Sequence, residues 1–179
     1  MRGNRRKSVS GGRRRNPSDD GLHTPGVRVQ DFPSKGISYR TPGKGRAHHT
    51  LSTTEHNVLL LLKYLGVAFE EQKEISAPEC QAIAQGLGIA YPSLESDGSP
   101  VVMTFDFFLP NPSPFFPESP GALQVKTSSD LCQRGKLPRM LAKFEIQRRY
   151  CLKFGYGFSI VDETLVPEHV SMTLALLQQ

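Results

Sequence analysis

Residues 101–126 read VVMTFDFFLPNPSPFFPESPGALQVK. Two apolar runs, Val101–Leu109 and Ala122–Lys126, flank a proline-dense loop, Pro110–Pro120. Proline fixes φ and removes a backbone donor, so this loop extends neither strand. It turns the chain back and predicts two antiparallel neighbours. Asp106 sits inside the first run among Phe105, Phe107 and Phe108. Aspartate is poorly suited to strands, and a buried charge is expensive unless it is paired or binds a metal. Residues two apart on a strand share a face, so Gln124 and Lys126 look the same way. A carboxylate, a side-chain carbonyl and an ammonium thus converge from adjacent strands.

Upstream, STTEHNVLLLLKYLG (residues 52–66) predicts a helix over Ser52–Leu65. Ser52 and Glu55 have capping-box spacing, Val58–Leu62 are all apolar, and Gly66 stops the helix. Val67–Ile75 reads as a strand with weak boundaries, and Pro78–Leu87 as a short helix. Downstream come a long helix over Pro138–Phe154, a buried strand at Phe158–Val161 and a last helix over Pro167–Leu177. This order is a mixed α/β layout, predicting one central sheet with helices on both faces.

The formal net charge of +5 conceals an asymmetry. Residues 1–50 hold 12 of the 22 Lys+Arg and 3 of the 17 Asp+Glu, a balance of +9, which leaves −4 for the other 129 residues. Residues 1–26, rich in Arg, Gly, Ser and Pro, predict a disordered basic arm. Residues 27–50 predict an extended arm or short hairpin lying along the domain, and residues 51–179 the globular domain. The basic arm suits nucleic-acid phosphates, through Arg13, Arg14, Arg15, Arg40, Arg46 and His48, or is a solvated tail. No apolar run reaches the ~18 residues that span a bilayer, and no apolar segment follows the basic N-terminus. Cys80, Cys132 and Cys151 make no CxxC pair, which reads as reduced thiols in a cytoplasmic protein.

The candidate site has bland rivals. Glu55 can simply close the capping box, and Asp106 and Lys126 can form a structural ion pair, although such pairs are weak stabilisers. As a metal site, Asp106 supplies a carboxylate, Gln124 its side-chain carbonyl and Val125 a backbone carbonyl, with Glu55 on a second ion or a metal-bound water. Oxygen donors of this kind suit magnesium. Lys126 can orient or deprotonate the attacking water or stabilise transition-state charge. Glu145 can hold Lys126 or pair with Arg148 or Arg149 at helical spacing, the second being favoured. Arg134, Lys136 and Arg139 can grip a phosphate backbone or form an ordinary basic surface.

The stretches VQDFPSKGISYR, GRAHHTLSTTEHNVLLLL, VMTFDFFL, ALQVK and LAKFEIQRRYCLKFGYGFSIV resemble the TnsA endonuclease subunit of heteromeric transposases, in its N-terminal catalytic domain. The resemblance spans about residues 27–170. It implies a type II restriction-endonuclease-like fold and Mg²⁺-dependent hydrolysis (one or two ions, with Mn²⁺ able to substitute). The cut strand would be the non-transferred one, at the five-prime ends of a transposon. Glu55, Asp106 and Lys126 would be catalytic, with Gln124 assisting at the metal. Implied partners are double-stranded transposon-end DNA, the DDE-type transposase TnsB and the ATPase regulator TnsC, with no membrane. The setting would be a bacterial cytoplasm, on the nucleoid when DNA is bound. Longer members continue into a second, smaller domain after the last helix, where this sequence ends. The alternatives are a stand-alone restriction or repair nuclease of the same fold and a catalytically inactive DNA-binding assembly subunit.

Overall fold

The structure, a computed structural model, describes residues 39–42, 47–93 and 98–178. The proline loop turns the chain as predicted. Strands β4 (Thr104–Leu109) and β5 (Gly121–Val125) pair antiparallel, with Phe107 opposite Leu123. β3 (Glu70–Glu74) adds antiparallel to the other side of β4, and β6 (Gly157–Val161) adds parallel to β5. The sheet order β3-β4-β5-β6 is therefore mixed. β3 and β4 are shorter than the runs suggested, most of all β3, whose predecessors Val67 and Phe69 pack as partly buried side chains outside the ladder.

Helices cover both faces. α1 (Thr53–Tyr64) lies on one, where Val58, Leu59 and Leu62 meet Phe107, Leu109, Leu123 and Val125. α2 (Ala77–Gly86) and α4 (Leu137–Phe154) lie on the other, where Cys80, Ala84, Ile146 and Cys151 meet Met103, Phe105 and Ala122. α5 (Glu168–Leu177) packs on the outside of α1 through Leu60, Val166 and Leu174. That explains the unbroken apolar run of α1: it is buried against the sheet on one side and α5 on the other. A short helix, α3 (Ser128–Leu131), leads from β5 towards α4. α4 carries Pro138 in its first turn and ends at Gly155 with φ 71°, where glycine avoids a Cβ penalty.

Ahead of α1, β1 (Tyr39–Pro42) and β2 (Ala47–Thr50) form an antiparallel hairpin. Tyr39 stacks on His56 of α1 at 4.1 Å between ring centroids, and Thr41 Oγ1 lies 3.4 Å from His56 Nδ1. Of residues 27–50, the described ones are this hairpin (39–42 and 47–50), and the predicted disordered arm, 1–26, lies outside the described residues. Among the described residues no helix is long and apolar enough to cross a membrane.

One detail of the sheet positions the site. Phe105 and Phe107 are two residues apart, yet they belong to cores on opposite faces of the sheet. A regular strand would put both on one face. Across from Asp106, between them, stands Gln72, the one non-glycine residue with positive φ (50°) among those described. Glu71↔Phe107 and Lys73↔Phe105 are ladder pairs on either side of it. A left-handed residue with a Cβ costs about 1–2 kcal/mol, so the local wringing of β3 and β4 is maintained against its own backbone preference.

The β5–β6 junction is held by close packing. Gly121 and Gly157 are register partners, and the Phe116 ring of the proline loop lies over both. A Cβ at either glycine would overlap that ring. Gly121→Ala is expected to cost about 1–3 kcal/mol in urea unfolding, with partial recovery in the double variant with Phe116→Leu. Equal destabilisation in the single and double variants would place the strain elsewhere.

Candidate active site

Glu55 reaches the site from the first turn of α1. Ser52 caps this helix, its Oγ accepting from Glu55 N at 3.1 Å. Glu55 replies with both oxygens: Oε1 accepts from Ser52 Oγ at 3.2 Å and Oε2 from Leu51 N at 3.0 Å. The box closes one residue early, on the amide of Leu51. The capping reading of Glu55 therefore holds, and the same carboxylate interacts electrostatically with Asp106 and Lys126.

Asp106 occupies the wrung part of β4. Its Oδ2 accepts from Val125 N at 2.7 Å, the β5 amide just beyond the last β4–β5 ladder pairs. Lys126 Nζ lies 3.6 Å from the same Oδ2 and donates to Val125 O at 2.7 Å. The ammonium thus bridges a carboxylate and a main-chain carbonyl at the end of β5. Asp106 and Lys126 meet as the sequence predicted.

The electrostatics tie Glu55 to them. Burial pushes the Glu55 carboxyl up to about 7, and the Asp106 charge adds to the rise against the Leu51 amide, Lys126 and Ser52. Asp106 is likewise raised, by burial first, despite Lys126, the Val125 amide and Gln72. Although Asp106 has an ion-pair partner, desolvation outweighs the pairing. Two buried carboxylates therefore interact, and the one ammonium that acts on both does not offset their burial.

Gln124 is turned to α4. Its Oε1 accepts from Gln147 Nε2 at 3.3 Å, and Gln147 Nε2 also donates to Thr104 O at 2.9 Å. Thr104 Oγ1 in turn donates to Gln72 Oε1 at 3.3 Å, and Gln72 Nε2 to Glu55 Oε2 at 3.4 Å. A polar belt runs from Gln124 through Gln147, Thr104 and Gln72 to the two carboxylates. Gln72 and Gln147, both buried, were missed by sequence reasoning. In EEQKE the charges on either side of Gln72 mask it.

The other candidates are distributed around this centre. Glu145 pairs with Arg148 and Arg149, each at 2.8 Å, as the helical spacing favoured. Arg139 donates to Ser93 O at 3.1 Å. Arg134 and Lys136 are exposed in the turn before α4. Lys143 is half-buried, and its ammonium is held below the usual range by burial and then by the charges of Arg139 and Lys126. Positive charge therefore continues from Lys126 onto α4. His48 Nδ1 lies 3.3 Å from both oxygens of the fully buried Glu71, and Arg40 stands opposite His49 in the hairpin. Arg13, Arg14, Arg15 and Arg46 lie outside the described residues.

Residues 67–163, more than half of the chain, match the family described as TnsA-like endonuclease N terminal. The chain belongs to that family. Membership in the TnsA-like endonucleases brings the restriction-endonuclease-like fold and, in general terms, the part of a transposase endonuclease acting on DNA. The matched stretch, residues 67–163, holds Asp106, Gln124 and Lys126 and begins after Glu55, which is tied to Asp106 and Lys126 electrostatically. A comparison with curated proteins finds no match.

Proposed function

We propose that this chain is the metal-dependent DNA endonuclease subunit of a heteromeric transposase, hydrolysing the non-transferred strand at the five-prime ends of the transposon. The observation that carries the reading is the deficit of positive charge at Glu55 and Asp106, beside a lysine that already bridges Asp106 Oδ2 and Val125 O. A divalent cation would relieve that deficit. Among the described residues no three His, Cys, Asp or Glu side chains gather into a metal-holding group. The donors are instead two carboxylates plus carbonyl oxygens, the set that suits magnesium with water and phosphate completing its shell.

Glu55, Asp106, Gln124 Oε1 and Val125 O would hold Mg²⁺, with Mn²⁺ as a substitute. Each carbonyl has a second lone pair beyond the bond it makes here. Bound there, the ion supplies Lewis-acid stabilisation of the phosphate and a more acidic water. The chain's own residues do the rest. Lys126 hydrogen-bonds the scissile phosphate oxygen or the attacking water as negative charge grows. The buried walls of the site keep its electrostatics strong. Lys143 and Arg139 extend the positive surface along which the DNA backbone lies.

The companion chains are a DDE-type transposase (TnsB) that handles the other strand and an ATPase regulator (TnsC). Combining the protein with both, transposon-end DNA and Mg²⁺, then mapping breaks on each strand, tests the reading. Five-prime-end breaks that vanish with EDTA or Asp106→Asn, while transferred-strand breaks persist, are expected. Unchanged five-prime breaks in Asp106→Asn would overturn it, and cutting of naked DNA without companions would favour a stand-alone nuclease.

A further inference from the structure

Gln72 is 3% exposed and holds a left-handed backbone that glutamine adopts rarely. No loop or turn requires it, since ladder pairs stand on both sides. Its side chain has two hydrogen-bond partners at the candidate site and acts on a third group. Nε2 donates to Glu55 Oε2 at 3.4 Å and Oε1 accepts from Thr104 Oγ1 at 3.3 Å. The same side chain favours the ionised form of Asp106. One neutral amide thus bears on both carboxylates, and its acceptor is occupied by a hydroxyl that fixes which way the amide faces. An extended residue at this position would alternate with its neighbours and project its side chain along the regular pleat. The left-handed turn re-aims it.

We propose that Gln72 is a positioning residue: its amide spaces and orients Glu55 and Asp106 so that both carboxylates present oxygens to one divalent cation. This rests on the metal-dependent reading of the site. The backbone anomaly and the hydrogen-bond set point the same way independently. A glutamine also does what an ionisable residue there could not. Another carboxylate would add to the charge deficit, and a lysine would compete with the cation for both carboxylates.

Two variants separate the amide from the backbone. Gln72→Gly removes the side chain and is at ease at φ 50°, while Gln72→Met keeps the bulk and the strain but loses the amide. Effects common to both belong to the amide. The readouts are Mn²⁺ affinity by electron paramagnetic resonance and the amide-proton NMR shifts of Leu51 and Val125 in metal-free protein, since the two carboxylates accept from those amides. Both variants are expected to bind Mn²⁺ about 10–100-fold more weakly, as outer partners of metal ligands do, and to move both amide signals. The Tm of Gln72→Gly should not fall. Wild-type Mn²⁺ affinity and unmoved amides in both variants would overturn the positioning role while leaving the nuclease reading intact. If wild type binds Mn²⁺ no better than Asp106→Asn, the metal reading fails, and unmoved amides would then overturn the placement of the carboxylates by Gln72 as well.

Discussion

Asp106→Asn and Lys126→Met should each lower the rate of strand cleavage on the order of 10³-fold, yet they should move stability in opposite directions. Asn keeps the shape of Asp106 and can still accept from the Val125 amide, which the carboxylate holds at 2.7 Å. It removes a buried charge that raises Glu55. Metal-free Asp106→Asn should therefore melt at or above the wild-type temperature. Lys126→Met takes away the ammonium 3.6 Å from Asp106 Oδ2 and leaves two buried carboxylates without it. Removing one partner of a buried pair costs more than the pair is worth, and about 1–3 kcal/mol of stability should be lost at neutral pH. Cleavage assays with thermal melts in EDTA check both halves. If both variants cut normally and both destabilise, Asp106 and Lys126 form a structural ion pair, and the assembly-subunit reading takes over.

The parts of this site legible in the sequence were those whose chemistry clashes with their surroundings. An aspartate among phenylalanines and a lysine closing an apolar strand are costly, so they announce a purpose. The antiparallel pairing of β4 with β5 followed from the proline loop. Gln72 was illegible for the opposite reason. It is uncharged, it sits among charged neighbours, and its role depends on a backbone angle that side-chain patterns do not encode. The partner of Gln124 was also out of reach. Strand alternation gives the same side as Lys126, and what its oxygen meets there is the Gln147 amide on α4, distant in sequence. Register within a strand can be read locally, whereas a hydrogen bond between β5 and α4 is decided only when the layers pack.

Glu55 should make the metal-free protein less stable as pH rises through the range where other carboxylates have already ionised. Its folded pKa stands at about 7 against an ordinary value of 4.5. Between those values the folded state keeps a proton that the unfolded chain has released, so folding stability declines with increasing pH. The loss begins above the unfolded value and is complete somewhat above pH 7. A shift of this size corresponds to about 3 kcal/mol, with Asp106 contributing in the same direction. Glu55→Gln removes the titration while leaving an oxygen for the Leu51 amide, so its urea-unfolding free energy should be much flatter over pH 5–8. The two profiles should cross or converge at low pH, where Glu55 is protonated in both states and resembles the amide. Adding Mg²⁺ should restore wild-type stability at pH 8 and do little at pH 5, because only the ionised pair attracts the cation. Parallel profiles for wild type and Glu55→Gln would mean that Glu55 is ionised at little cost in the folded protein. The two carboxylates would then need no cation to face each other, and the electrostatic case for a metal there would fall with them.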